Sequence, residues 1–579
     1  MTFPLLALSF LVVAAATVGG ASLTRRYFLF GLLGSTLLLA LHGRVFLNYL
    51  PDDAFIYFRY ARNFADGHGP TWNVGGERVE GYTGILWLLP LTVASKLGLD
   101  VPETARYLGF ALGVGALAML YPLAAALPAG RRYPLSPVLA SLALAAAGPF
   151  ALWTLAGMEM PLFILLVLIG VWLHLREDAG DAAAVPWSAF AFVLATATRP
   201  EGALIVGVTG LFKLSALLDP ATRNARFRQL LLWAGFIAVL YGGYLLWRYN
   251  YYGDLLPNTF YAKVTVGRDV YDRGVRYLVS SGRDYGVLLL MAGLVAYLAG
   301  TRPAKAPLYL ATLVAAWMVW VVLSGGDTLL FGRFIAPILP LLYLAAALGA
   351  ALLLEATVEA RNRLVARPAF ALLFAAVLLA TLYPSLDPFL DFDHRILRDN
   401  ILIGRWMAEH LPPDTTIAVT WAGAIPYYSR LPTLDMLGLN DTHIAHADVP
   451  VFREGLAGVT GGFAGHEKYD IDYVLAQRPQ VIFLGGGLSL TPLRTAADYT
   501  RVAWVFPSDY YLVQDARTFD QYRPVAIKLR NGGWLNLLVD TAATDTPPAL
   551  LTGPGALDYV AANPLLDGPE ADILEPEAR

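Results

Sequence analysis

The stretch Pro51–Trp87, PDDAFIYFRYARNFADGHGPTWNVGGERVEGYTGILW, decides how the chain is read. Two adjacent carboxylates, Asp52 and Asp53, directly follow one of the most apolar segments of the protein. From Ala54 the apolar residues Ala54, Tyr57, Phe58, Ala61, Phe64 and Ala65 recur at helical spacing. Arg59, Arg62, Asn63 and Asp66 occupy the other face, and Gly67 is a fitting stop. A helix of this kind is expected to lie in the plane of a membrane–water interface with its aromatic face toward lipid. Asp is a favoured helix N-cap, yet a cap requires only one carboxylate. A second carboxylate at a membrane edge points to chemistry, because charge there is costly and is retained for function. In the following Gly76–Thr83 segment the glycines allow backbone to approach a ligand or simply make a turn, and Glu80 and Tyr82 sit among them. The apolar stretch that continues to Leu97 is broken by Pro90 and Lys96, which suits a re-entrant or interfacial element.

Working outward, the chain has 579 residues, 57% hydrophobic and only 15% charged. A soluble protein would carry nearer a quarter charged residues. The apolar residues come in blocks long enough to cross about 30 Å of hydrocarbon. The expected fold is therefore a polytopic α-helical membrane protein with about twelve spans. They fall at about 3–22, 27–48, 103–127, 135–151, 160–175, 185–199, 202–218, 229–248, 285–301, 306–324, 333–354 and 368–385. The first block lacks the basic residues that precede a cleavable signal, so a retained span is expected. A net charge of −3 gives no reason to expect a nucleic-acid partner, and the absence of Cys rules out disulfides and thiolate metal sites.

Alternate connections carry simple basic clusters: Arg25-Arg26, Arg131-Arg132, Arg176, Arg223 to Arg228, Arg302 with Lys305, and Arg361 to Arg367. The positive-inside rule puts these in the cytoplasm. The Asp52-Asp53 segment then shares the opposite side with four other polar motifs. They are GMEM (Gly157–Met160), TRPEG (Thr198–Gly202), NYYGDLLPNTFYAK (Asn250–Lys263) and SGGDTLLFGRF (Ser324–Phe334). After about Leu386 the composition turns hydrophilic. A helix-like segment (Arg395–Glu409) precedes short apolar runs at Thr416–Thr420 and Val481–Leu484, bounded by Pro and Gly as strands are. The expected organisation is a membrane unit over 1–385, with its first extracytoplasmic loop over 49–97, and an extracytoplasmic α/β domain over 386–579. The last thirty residues, rich in Pro, Asp, Glu and Ala, are expected to be poorly ordered.

The DDAFIYFRYARNFADGHGPTWNVGGERVEGYTGILW pattern resembles the first periplasmic loop of the GT-C superfamily, membrane glycosyltransferases that use polyprenyl-phosphate sugars. Within it the chain looks most like the actinobacterial terminal β-arabinofuranosyltransferase group and its bacterial relatives. The TRPEG, PNTFYAK and GGD…GRF segments fit the same group with less specificity. The resemblance implies a GT-C fold in the bacterial inner membrane, with the site and the C-terminal domain on the extracytoplasmic side. It implies an inverting transferase moving a sugar, a pentofuranose, from a polyprenyl-phosphate donor to a glycan acceptor. Transfer of another sugar to protein or lipid A is the alternative within the superfamily. A lipid-linked sugar transporter is the alternative outside it, disfavoured because the charges gather at one face rather than at midplane.

Such a transfer needs a base for the acceptor hydroxyl, cations for the departing phosphate and an apolar groove for the lipid tail. Asp52 and Asp53 are the base candidates, and the resemblance favours Asp52; adjacent carboxylates also raise one another's pKa. Arg199, Lys263 and Arg333, with Arg59, are candidates for the phosphate, with snorkelling toward headgroups the bland reading of the lysine and of Arg333. Glu159, Glu201 and Asp327, with Glu80, Tyr82, His443 and His466, are candidates for sugar or acceptor. Glu201 beside Arg199 also reads as a local ion pair. His443 and His446 have zinc-compatible spacing but lack an evident third ligand. Some superfamily members use a divalent cation, so Mg²⁺, Mn²⁺ or Ca²⁺ stays open, and no coordination set is evident.

Overall fold

The computed structural model describes residues 23–180, 185–263, 268–301, 304–327, 329, 331–359, 389–449, 465–503, 506–528 and 533–542. The expected spans at 3–22 and 368–385, the junction near 385 and the final thirty residues lie outside them.

The N-terminal part is helical: α1 (Leu23–Gly43), α2 (Asp52–Ala65), α3 (Ile85–Lys96), α4 (Val101–Ala126), α5 (Ser136–Ala146), α6 (Gly148–Leu155), α7 (Met160–Ala179) and α8 (Trp187–Thr198). It continues through α9 (Gly202–Ser215), α10 (Arg223–Tyr252), α11 (Asn258–Lys263), α12 (Arg268–Asp284), α13 (Val287–Gly300), α14 (Lys305–Leu323) and α15 (Leu339–Glu359). Among the described residues six helices are long and apolar enough to cross a membrane, and two bent pairs raise the number to eight if each is one span. The bends are 67° between α5 and α6 and 84° between α12 and α13. This departs from the even succession of spans expected. The regions read as spans at 185–199 and 202–218 are shorter apolar helices, Trp187–Thr198 and Gly202–Leu218. At 1.5 Å per residue the first of these, Trp187–Thr198, falls well short of the hydrocarbon thickness. The turn between them, Arg199-Pro200-Glu201, therefore lies within the protein body, and Arg199 is buried.

The hydrophilic C-terminal part is α/β. Helix α16 (Phe389–His410) leads into β1 (Ile417–Val419), α17 (Ala424–Ser429), β2 (Thr433–Asp435), α18 (Thr442–Ala445), α19 (Ile471–Gln477), β3 (Val481–Phe483) and β4 (Leu488–Ser489). Then come α20 (Ala496–Val502), α21 (Pro507–Gln514), α22 (Ala516–Gln521), β5 (Tyr522–Lys528) and β6 (Trp534–Asp540). The strand order is β2-β1-β3-β6-β4, with β5 also on β6. β1 pairs parallel with β2 and β3, whereas β6 is antiparallel to β3, β4 and β5. Ile417 and Val419 pack with Trp406 and Met407 of α16 on one face, and Ala418 packs with Met436 and Ile444 on the other. That alternation follows from the two-residue period of a strand, and cover on both faces suits the parallel strands.

Helix α2 departs from its expected place. Its apolar residues from Ala54 to Ala61 and its polar residues Arg59 and Asn63 are buried, and Phe64 and Ala65 are half-buried. It does not lie against lipid; it is clasped between α3 and α17, so the α/β unit covers the face that the sequence leaves polar.

Candidate functional site

The site starts at the first turn of α2. Pro51 is the N-cap residue, with φ −65° and ψ 147°, and it offers no side-chain cap. Neither aspartate is therefore the cap; both lie inside the first turn, where a carboxylate suits the helix dipole. Successive helical residues are rotated by about 100°, so the two side chains face different surroundings.

Asp52 faces the α/β unit. It accepts hydrogen bonds from the Gly423 N–H at 2.7 Å, the Ala424 N–H at 2.9 Å and the Asn400 amide at 3.3 Å. Gly423 is required: a Cβ there would meet the Asp52 carbonyl oxygen at 1.9 Å. Burial pushes the Asp52 carboxyl up to about 6; the Ala424 and Gly423 N–H groups pull it down, and neighbouring Asp53 adds to the rise. Asp52 is absent from the cavity wall described next. The favoured base of the sequence reading is thus turned away from the cavity and ties two parts of the molecule together.

Asp53 faces a cavity of about 550 Å³. The Lys263 ammonium lies 3.2 Å from its Oδ2 and Arg333 Nη1 lies 3.9 Å from the same atom. Burial would raise its pKa, but the charges of Lys263, Arg333 and His466 outweigh that and hold it at about 2. The expected mutual rise of the pair is therefore realised in Asp52 alone.

Each cation is itself fixed. Lys263 ends α11, whose first residue, Asn258, donates its amide to the carbonyls of Gly438, Leu439 and Asp441 at 2.8, 3.1 and 3.2 Å. The PNTFYAK motif thus pins Lys263 to the α/β unit. Arg333 forms a two-pronged pair with Asp327, at 2.7 and 3.0 Å. The adjoining Phe331 has φ 56°, a left-handed conformation costly for a non-glycine residue. Its carbonyl is held by the Trp153 indole N–H at 3.2 Å. Arg199 donates to Glu159 at 2.6 Å and to Glu201 at 2.8 Å.

The cavity wall gathers Asp53, Glu159, Arg199, Glu201, Lys263, Asp327, Arg333, Tyr82 and His466 from the expected residues. Four others belong elsewhere. Arg59 donates to the carbonyls of Trp72, Pro426 and Leu431 and to the Asn73 side chain, and lies over the Trp72 ring; it is a staple between α2 and the α/β unit. Glu80 is buried against Arg248 at 3.0 Å, outside the wall. His443 bonds Asp470 at 2.8 Å and stacks on Tyr473, facing a separate groove. Asp52 is the fourth. The sequence reading missed Arg273, which lines the cavity and pairs with Glu467 at 3.2 Å, and it missed Asn400 and Gly423, the partners of Asp52. Asn400 and Gly423 reach Asp52 from 348 and 371 residues along the chain, and Arg273 meets Glu467 across 194 residues.

The carboxylates on the cavity wall do not suit a divalent cation. Asp53, Glu159, Glu201 and Asp327 are each engaged by an arginine or lysine. Among the described residues no three His, Asp or Glu side chains converge on a point that an ion could share.

Residues 393–537 match a family described as a domain of unknown function, DUF8728. The chain is 30% identical over 277 residues to the terminal β-(1→2)-arabinofuranosyltransferase of Mycobacterium tuberculosis, covering 44% of this chain and 42% of that protein. It is 28% identical over 277 residues to the protein of the same name from Corynebacterium glutamicum, covering 43% and 38%. The matches thus span about two fifths of those relatives. Among solved structures, ArnT from Cupriavidus metallidurans bound to undecaprenyl phosphate superimposes with a TM-score of 0.50 at 16% identity, over 70% of this chain and 85% of ArnT. The apo oligosaccharyltransferase of Archaeoglobus fulgidus gives 0.50 at 12% identity, over 90% and 75%. The chain is a multi-pass membrane protein with the GT-C fold of these two enzymes, and over part of its length it is a homologue of the terminal β-(1→2)-arabinofuranosyltransferases.

Proposed function

We propose that the protein is an inverting membrane glycosyltransferase that moves an arabinofuranose from a polyprenyl-phosphate donor to a glycan acceptor. The reading includes an inner-membrane location with the cavity on the extracytoplasmic side. It also includes a division into a membrane unit over 1–385 and an extracytoplasmic unit over 386–579. The observation that carries it is a carboxylate, Asp53, sharing a cavity wall with two cations, Lys263 and Arg333.

In the reaction the acceptor hydroxyl oxygen attacks the anomeric carbon from the face opposite the phosphate. The new C–O bond forms as the bond to the phosphate oxygen breaks, and that oxygen keeps the electron pair. The hydroxyl proton passes to Asp53. Lys263 and Arg333 stabilise the charge growing on the leaving phosphate. At about 2, Asp53 is a weak base while it holds the cations. A donor phosphate draws the same two cations toward itself, lowering their hold on Asp53 and raising its basicity when substrate is present. Arg199, balanced by Glu159 and Glu201, forms a buried rigid wall suited to sugar hydroxyls. Leu256 and Phe260 line the cavity while remaining exposed, which supports an apolar exit for the polyprenyl chain.

The test uses purified protein in lipid nanodiscs with synthetic polyprenyl-phosphate arabinofuranose and an arabinofuranosyl oligosaccharide. The expected result is a glycan longer by one residue, of inverted anomeric configuration, with free polyprenyl phosphate released. Movement of the lipid-linked sugar across reconstituted vesicles without any transfer product would overturn the reading in favour of a transporter.

A further inference from the structure

Helix α11 separates two concave surfaces. One side carries Thr259, Phe260 and Lys263 into the cavity of Asp53. On its other side the Tyr261 ring meets the His446 ring at 4.3 Å, and His446 is on the wall of a second, open groove of about 940 Å³. That groove lies wholly on the α/β unit, between α18, the start of α19 and the α21–α22 corner.

Its walls are prearranged. The His443 ring is fixed by its bond to Asp470 and lies parallel to Tyr473 at 4.0 Å and 14°. Tyr469 and Tyr511 stack at 4.6 Å and 20°. Around these rings stand the carboxylates of Asp448, Asp470, Asp472 and Asp515, against one guanidinium, Arg517. Arg517 reaches Asp472 at 2.5 Å and Asp515 at 2.6 Å. Four carboxylates to one cation repel a phosphate or an acidic lipid headgroup. Flat rings bordered by hydrogen-bond acceptors suit a neutral polyol: the C–H face of a sugar lies on a ring, and its hydroxyls donate to the carboxylates.

We propose that this groove is an acceptor subsite that holds the glycan chain beyond the residue being extended. The proposal rests on the transferase reading of the Asp53 cavity and adds to it the path of the acceptor. A helix is about 10 Å across, so an acceptor must be longer than that width to pass over α11 and engage both surfaces, which favours an oligosaccharide over a disaccharide.

The experiment measures steady-state transfer by the full chain in nanodiscs with saturating donor, using a linear arabinofuranosyl hexasaccharide and the corresponding disaccharide. Tyr511→Ala and Asp472→Asn are the variants; the second changes an exposed side chain and guards against misfolding in the first. The KM for the hexasaccharide should rise about tenfold in Tyr511→Ala and severalfold in Asp472→Asn, with kcat and all disaccharide constants unchanged. Equal effects on both acceptors, or none on either, would overturn the proposal. Saturation-transfer NMR with the hexasaccharide and donor-free protein provides an arm independent of turnover. Binding to wild type that is lost in Tyr511→Ala supports the subsite even where no transfer occurs, in which case it is the transferase reading that fails. Undiminished NMR signal in Tyr511→Ala, or retention of anionic vesicles or a basic peptide by this groove in place of the glycan, counts against it.

Discussion

The two sides of the first turn of α2 carry the same chemical group in opposite surroundings. On the side of the α/β unit, Asp52 meets two backbone N–H groups and an amide, all neutral, and burial leaves it at about 6. On the cavity side, Asp53 meets Lys263 and Arg333 and is held at about 2. Neighbouring carboxylates with pKa values pushed apart mark a division of labour. In the proposed mechanism the division is between a joint and a base. Neutral donors keep a carboxylate in place; cations, which a phosphate can share, make its basicity depend on substrate.

The largest effect is expected where both cations are removed: Lys263→Met with Arg333→Met should weaken donor binding by about 10³-fold, since each charge-assisted contact is worth about 1.5–3 kcal/mol. Titration with a fluorescent polyprenyl-phosphate analogue checks this. Lys263→Met alone sharpens the electrostatic side. Loss of the ammonium raises the Asp53 pKa, and the base acts only when unprotonated. The acid limb of kcat/KM should therefore move to higher pH, by about one unit or more, in a pH–rate profile.

Asp52 makes the opposite kind of prediction. Its folded-state pKa lies above the ordinary carboxylate value, so the folded state holds its proton more tightly than the unfolded chain. Its contribution to stability is full below about pH 4 and is lost as pH rises through about 6. Asp52→Asn should flatten that part of the dependence of melting temperature on pH. The smallest effect concerns Arg59. Arg59→Lys sacrifices part of a five-point staple and should lower the melting temperature by about 5 °C, with donor KM within about twofold of wild type. A large rise in donor KM would restore it to the phosphate site.

Much of this was legible before the structure. The strands at Ile417–Val419 and Val481–Phe483 were readable as apolar runs between breakers, and the membrane class followed from composition. The motifs Asp52-Asp53, TRPEG, PNTFYAK and GGD…GRF all reach one region of the molecule. What the local sequence does not carry is orientation. The choice between Asp52 and Asp53 depends on Gly423, Ala424 and Asn400, nearly 350 or more residues away in sequence, and local periodicity contains no trace of them. Arg59 misled for the same reason: a polar helix face reads as solvent-facing until a second unit, bringing Pro426 and Leu431, covers it. Span lengths failed where the bend at Ala147 divides the stretch read as one span over 135–151, and at 185–199 and 202–218, which form shorter helices.

The most direct measurement is the single-turnover rate of transfer by Asp52→Asn and Asp53→Asn, side by side, in protein loaded with polyprenyl-phosphate arabinofuranose and shown by circular dichroism to be folded. A general base contributes about 10²–10⁴-fold, so Asp53→Asn should lose on the order of 10³-fold while Asp52→Asn stays within about tenfold of wild type. Near-normal transfer by Asp53→Asn together with a 10³-fold loss in Asp52→Asn would contradict the assignment of base and joint.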